Sequence, residues 1–326
     1  MTADVTTAGP APERRRRALV AALLGLTAAA YVLYLYGWRK PLNVSDFDAI
    51  WAGARALRGG EDPYAVIQSP PWPWELQYPL TTVLVALPFS FIPLALARAV
   101  FVGLSTALLA WGLTRSAWWP LWMLAGGQML LAVEAVQWTP LFAAGILLPS
   151  LRWLWAAKPT TGAVLFAAYP DRRTVIGGVV LLALAFVLLP SWTEGWLGAA
   201  GRAPHRPGVL RFGGALLLLA LFRWRLPEAR QVAAVALVPL SPHIYEALPL
   251  LLLARTRREM LLLTLLGSAG FFAALTVPRP SGPDHGPIPW AIVFFSCYLP
   301  ALLVVLLRRK AGTQWLTSAP IDRAAS

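Results

Sequence analysis

Four consecutive arginines, Arg14 to Arg17, run straight into an apolar stretch from Ala18 to about Trp38. A run of that length crosses the hydrocarbon core of a bilayer, about 30 Å thick, as one helix. Inside lipid every backbone polar group must be satisfied within helices or a closed barrel, so this one stretch restricts the fold more than anything after it. Basic residues mark the cytoplasmic side of a span, which sets the N-terminus in the cytoplasm. Further apolar runs continue through the 326 residues, of which 58% are hydrophobic and 13% charged, at a mean hydropathy of +0.60. That is far from the soluble average. The expectation is an all-α, polytopic integral membrane protein with about 10–12 membrane helices, some short or broken. It divides into a disordered basic segment 1–17, one transmembrane unit 18–310 and a cytoplasmic tail 311–326. Basic residues outnumber acidic ones 28 to 15 and cluster between apolar runs. That pattern fits cytoplasmic loops and anionic membrane lipids, and argues against a nucleic-acid partner. The one cysteine, Cys297, lies inside an apolar run, which leaves no intrachain disulfide and no cysteine metal set.

The first outer loop, 39–78, carries the one long polar-punctuated stretch, Asn43 to Tyr64. Ser45, or Asp46 itself, can cap a helix there, Asp48 sits where a capping box places its acidic partner, and Gly59-Gly60 supply the stop. Phe47, Ile50, Trp51, Ala54 and Leu57 recur at helical spacing, with Arg55 and Arg58 in the polar remainder. The pattern predicts an amphipathic helix lying on the membrane surface. Asp46 and Asp48 are two residues apart, roughly 200° around a helix, so one of them at most faces a given reacting group. Capping alone is the other reading of both.

Beyond the loop, Pro79–Pro93 and Leu94–Leu113 read as a hairpin of spans, and Trp118–Val136 as a further span. Pro140–Leu151 and Thr160–Ala168 are too short for a straight crossing, and Thr174–Pro190 runs outward into an outer loop, Ser191–Pro207. Gln231–Ala254 reads best as two short helices broken at Ser241-Pro242, which returns Arg255, Arg257 and Arg258 to the cytoplasm. Met260–Val277 and Trp290–Leu307 complete an even number of crossings and put the C-terminus inside. This topology gathers Asp46, Lys158, His205, His243 and His285, with Glu134 and Gln137, at the outer face. Glu134 stands out because an ionisable group within a span needs a partner or a role.

The ordered set Asp46-Phe47, Trp51-Ala52, Ala54-Arg55-Ala56-Leu57, Gly59-Gly60, Asp62-Pro63-Tyr64 and Tyr78-Pro79 resembles the opening of glycosyltransferase family 87. Members are membrane enzymes of the GT-C superfamily, similar to polyprenyl-phosphate-mannose-dependent α-mannosyltransferases of bacterial envelopes. The likeness covers Ser45 to Arg98 and is diffuse elsewhere. Gln137 with Pro140-Leu141 resembles a Gly-Gln-x-Asn-Pro-Leu element in which Val136 and Thr139 replace the glycine and asparagine. Lys158-Pro159 resembles a later lysine near a proline. Ser241-Pro242 with Tyr245-Glu246 resembles an SP-x-x-W-[DE]-H element whose histidine position is Ala247, a histidine standing instead at His243.

The resemblance implies a GT-C-like helical bundle at the cell membrane, its site on the outer face, moving a hexose such as mannose from a polyprenyl-phosphate donor to an envelope glycolipid or glycan with inversion. Asp46 matches the general base. Cations that steady the departing phosphate are sought in Arg55, Lys158 and His243. Asp48, Tyr64, Tyr78, Glu134, Gln137, Tyr245 and Glu246 are candidates for the substrate cavity. No cofactor beyond the donor lipid and no metal are expected; Asp46-Phe47-Asp48 looks like a D-x-D metal motif but has no further ligand spaced to complete it. An inactive family member, a non-catalytic subunit and a lipid or sugar transporter of the flippase kind remain alternatives. A transporter predicts internal repeats, which the sequence lacks.

Overall fold

The computed structural model describes residues 11–68, 72–202, 205–277 and 287–308. The expectations for the first ten residues, for His285 with its Pro/Gly loop, and for the tail from residue 309 lie outside them. Residues 11–17, expected within a disordered segment, instead form the start of a helix that continues into the apolar run after them. The described residues are helical, without strands. In chain order the α-helices are α1 (Ala11–Tyr34), α2 (Asp46–Arg58), α3 (Pro63–Val66), α4 (Leu80–Ala86), α5 (Leu94–Leu113), α6 (Gly127–Glu134) and α7 (Thr139–Leu147). They continue with α8 (Pro159–Ala168), α9 (Arg172–Leu188), α10 (Trp192–Arg202), α11 (Pro227–Leu237), α12 (Arg257–Thr276), α13 (Pro287–Val293) and α14 (Leu299–Leu307). Short 3-10 segments fill several of the joints, among them Trp119–Ala125, Pro149–Ala156, Gly214–Arg223 and Ile244–Leu253.

Among the described residues four helices are long and apolar enough to cross a membrane: Pro12–Arg39, Leu94–Leu113, Arg257–Thr276 and Pro287–Leu307. A fifth arises if α9 and α10, bent by 106°, count as one. The ten to twelve membrane helices expected, some of them short or broken, are not all of this length, because many of the apolar runs are cut into shorter pieces. The run Trp118–Val136 is corrected in this way: Pro120 opens a 3-10 segment, extended Gly126 ends it, and α6 begins anew. Gly127 is required at that restart, since a Cβ there would meet the Cβ of Phe271 on α12 at 2.5 Å. The expected loop 191–207 likewise contains α10, which folds back so that Gly195 rests on the Tyr64 ring. The break at Ser241-Pro242 is present, between α11 and the segment Ile244–Leu253.

Two packing relations position the site. Helices α1 and α5 cross at Gly25 and Gly103, where a Cβ on Gly25 would come 2.6 Å from the Gly103 carbonyl oxygen; small residues let two spans approach this closely. Arg17, at the start of α1, reaches Thr114 and the Trp111 carbonyl at the C-terminal end of α5. Asp48 pairs with Arg98 near the N-terminal end. The two contacts are thus about 24 Å apart along α5, with Arg17 at one end of the bundle and α2 at the other.

Helix α2 caps itself as its sequence dictates, Ser45 and Asp48 forming a capping box. Its apolar face is turned into the protein instead of onto lipid: Phe47 and Ile50 are fully buried, and Phe47 stacks on Phe101 of α5 at 4.7 Å. Burial of each such side chain contributes about 1.5–3 kcal/mol, so α2 is anchored to the bundle. At another corner, Arg255 and Arg308 both bind buried Glu228 at 2.9 Å. The start of α12 and the end of α14 therefore lie at one end of the molecule.

Candidate functional site

Asp46 is the first residue of α2 and is half-buried. Its Oδ2 accepts a hydrogen bond from Gln137 Nε2 and a longer one, 3.4 Å, from the Tyr245 hydroxyl. Neither bond uses Oδ1, which among the described residues accepts none. A carboxylate held by one oxygen and free at the other has the geometry of a base with a fixed aim. Burial pushes the Asp46 carboxyl above the ordinary carboxylate range; the charge of Lys158 and the bonds from Gln137 and Tyr245 pull the other way, and Glu246 adds to the rise.

Gln137 is delivered by strain. Val136 before it has φ +53°, a left-handed conformation that a β-branched residue rarely adopts. The reversal closes through Gln137 N to Ala132 O at 2.8 Å and leads into α7 with Pro140 in its first turn. Glycine takes this conformation at no steric cost, whereas Val136 stores strain of about 1–3 kcal/mol. Buried Gln137 also meets the Tyr78 hydroxyl, and burial raises the Tyr78 phenol well above its ordinary range.

Lys158 is set by its neighbours. Thr81 and Thr82 of α4 both donate to the Ala157 carbonyl, and Pro159 forces the preceding residue out of helix, so Lys158 is extended at φ −118°, ψ 92°. Its Nζ donates to Glu246 Oε1 at 2.8 Å and lies 5.9 Å from the Tyr78 and Tyr245 ring centroids. Thr161, one turn into α8, donates to Glu246 Oε2 at 2.9 Å. The tight turn beneath depends on Gly162, where a Cβ would meet the Trp155 carbonyl oxygen at 1.9 Å. Ser241 reaches Glu246 at 3.4 Å and the Tyr245 hydroxyl at 3.5 Å, and His243 stacks on Tyr245 at 5.1 Å.

Five segments far apart in sequence therefore bring Asp46, Tyr78, Gln137, Lys158, Thr161, Ser241, Tyr245 and Glu246 into one connected cluster, with His243 on its flank. Thr161 carried no motif and was not legible beforehand. Four residues singled out in sequence stand elsewhere. Asp48, 2% exposed, is bound by both donors of Arg98 and by Ser45, so it is a buried structural carboxylate and does not line a cavity with Asp46. The 200° separation on α2 is the reason. Arg55 is exposed, its guanidinium 4.9 Å over the Trp51 ring, and nine residues along α2 put it about 13 Å from Asp46. Glu134 turns to α1, accepting from Tyr31 at 2.7 Å, while its carbonyl accepts from Tyr36. Tyr64 supports the cluster from outside by donating to the Tyr78 carbonyl at 3.0 Å.

A groove of about 600 Å³ lies away from the polar cluster, between α12 and α13 and lined by Leu266, Gly270, Ala273, Ile292 and Phe295 among others. Its floor approaches the cluster from behind: a Cβ on Gly270 would sit 3.5 Å from Ile244, the residue before Tyr245. Among the described residues no group of three or more His, Cys, Asp or Glu side chains is placed to hold a metal ion. No protein-family model, curated protein or solved structure matches the chain.

Proposed function

We propose that this chain is an inverting membrane glycosyltransferase of the GT-C type. It moves a hexose, with mannose the first to test, from a polyprenyl-phosphate donor to an envelope glycolipid or glycan at the outer face of the cell membrane. The observation that carries the reading is the convergence of Asp46 with Lys158 in one cluster. A carboxylate with a free Oδ1 and raised proton affinity stands beside a lysine, as transfer from a lipid phosphate requires.

The acceptor hydroxyl gives its proton to Asp46 Oδ1 while its oxygen forms the new bond to the anomeric carbon. The bond from that carbon to the phosphate oxygen breaks on the opposite face, and its electron pair leaves with the phosphate. Gln137 and Tyr245 hold Oδ2 so that Oδ1 keeps its aim; such positioning serves only if the geometry holds to within a fraction of an ångström. Lys158 stabilises the charge that develops on the leaving oxygen. The apolar groove behind Ile244 suits the hydrocarbon chain of a lipid substrate.

The test is transfer by purified protein in lipid, with radiolabelled polyprenyl-phosphate mannose, glucose and arabinose offered separately beside an envelope-lipid extract. One donor yielding labelled glycolipid of inverted anomeric configuration supports the reading. Retained configuration, or flip of the donor lipid across the bilayer without transfer, contradicts it and favours the transport alternative.

A further inference from the structure

Lys158 has a carboxylate partner in the cluster, and that partner is held harder than it is. Glu246, its side chain 2% exposed, is fixed by Thr161 on one oxygen and by Lys158 and Ser241 on the other. Lys158 is more exposed, at 11%, and hangs on a flexible four-carbon stem with three donors on its nitrogen. Of the two, the lysine is the side chain with freedom to move.

We infer that Glu246 is the resting counter-ion of Lys158, exchanged for the donor's phosphate and restored as product leaves, so that the site holds a lipid phosphodiester in preference to a lipid phosphate monoester. The inference rests on the transferase reading and adds to it a determinant of product release. A sugar-bearing lipid phosphate is a diester with one negative charge. Cleavage of its sugar bond leaves the electron pair on the phosphate and makes a monoester, which carries up to two charges once its second proton is lost near about pH 6. During the step Asp46 takes the acceptor's proton, so the total charge of the cluster and its ligands does not change. After that proton passes to solvent, the monoester faces both the Asp46 and the Glu246 carboxylates, whose charges already act on each other. Like charges at such range in a partly buried site repel by more than they do in water. Glu246 then takes Lys158 back, and the product is driven out.

The experiment measures equilibrium binding of two probes, farnesyl phosphate and farnesyl-phosphomannose, to the full-length protein in lipid nanodiscs at pH 8, with wild type, Glu246→Gln and Glu246→Asp. Wild type is expected to bind the diester more tightly. Glu246→Gln keeps the side chain's length and its partner Thr161 but removes the charge. Both probes should bind it more tightly, with the gain for the monoester larger by about tenfold or more; in turnover, kcat and KM for donor should fall together as product is retained. Glu246→Asp should hold the diester preference near the wild-type value. An unchanged ratio in Glu246→Gln, or a ratio in Glu246→Asp that follows the Gln variant, assigns Glu246 to packing and overturns the exchange. Wild type that binds neither probe overturns the transferase reading itself, a result distinct from either.

Discussion

Asp48→Asn and Asp46→Asn are isosteric changes two residues apart on one helix, and their consequences should be opposite. The Asp48 carboxylate accepts from Arg98 Nε at 2.6 Å and from Arg98 Nη2, from Ser45 N at 2.9 Å and from Ser45 Oγ at 2.5 Å. Both partners of the ion pair are buried, and the Arg98 guanidinium is further enclosed by the Tyr36 ring 4.1 Å away. An amide in place of the carboxylate keeps the shape but leaves Arg98 charged, desolvated and facing an NH₂ donor. Breaking a buried pair from one side costs about 3–5 kcal/mol. Part of the cap is lost with it, a contribution of about 0.5–2 kcal/mol that overlaps the first. The total is a large fraction of a typical folding stability of about 5–15 kcal/mol. Denaturant titration of the detergent-solubilised protein should show it as a lowered midpoint, together with loss of α2. Replacing both partners at once, Asp48→Leu with Arg98→Met, should recover most of the loss, since apolar substitutes for a buried pair are often neutral. Asp46→Asn, by contrast, should fold as wild type or slightly better. The raised proton affinity of Asp46 means that the folded state favours its protonated form, so its ionisation lowers stability as pH rises through the folded value. A cost below about 1 kcal/mol for Asp48→Asn, or a double variant no better than the single, would refute the assignment of this pair as the anchor of α2.

Three other changes separate the parts of the site. Lys158→Gln removes the cation that lowers the proton affinity of Asp46. The acid limb of kcat/KM should therefore move to higher pH as donor binding weakens, and a limb that stays in place would contradict their coupling. Gln137→Leu deletes the bond to Asp46 Oδ2; it should lower kcat by about tenfold or more while KM for donor changes little, and equal changes in both would point to a folding defect. Gly162→Ala drives a Cβ into the Trp155 carbonyl. It should destabilise by about 1–3 kcal/mol or more, measured by the same titration, and a neutral result would mean that the turn below Lys158 is looser than its contacts imply.

The helical class and α2 could be read in advance, because capping residues, glycine stops and a 3.6-residue apolar period act locally. Asp46, Tyr78, Gln137, Lys158, Tyr245 and Glu246 were singled out in sequence through the resemblance, with Asp46 also at a helix cap and Tyr78 and Lys158 each before a proline. Their union could not be read in advance, since it depends on five segments packing together. Hydropathy misjudged the middle of the chain because it does not see backbone breaks; Pro120 and Gly126-Gly127 interrupt an apolar run without lowering its hydropathy much. The face of α2 was misassigned to lipid because an apolar stripe looks the same whether Phe101 or an acyl chain covers it. Arg98 escaped notice as one more basic residue, although it is the partner that removes Asp48 from the site. The strained turn at Val136 became visible only with its φ of +53° in view.

The most direct measurement is sugar transfer from radiolabelled polyprenyl-phosphate mannose to envelope lipids by purified protein in lipid, wild type beside Asp46→Asn. Removing a general base from a folded enzyme costs about 10²–10⁴-fold in rate. The account predicts a labelled glycolipid with wild type and a loss of that size with Asp46→Asn, at unaltered thermal stability. Transfer by Asp46→Asn at the wild-type rate would contradict the assignment of Asp46 as the base.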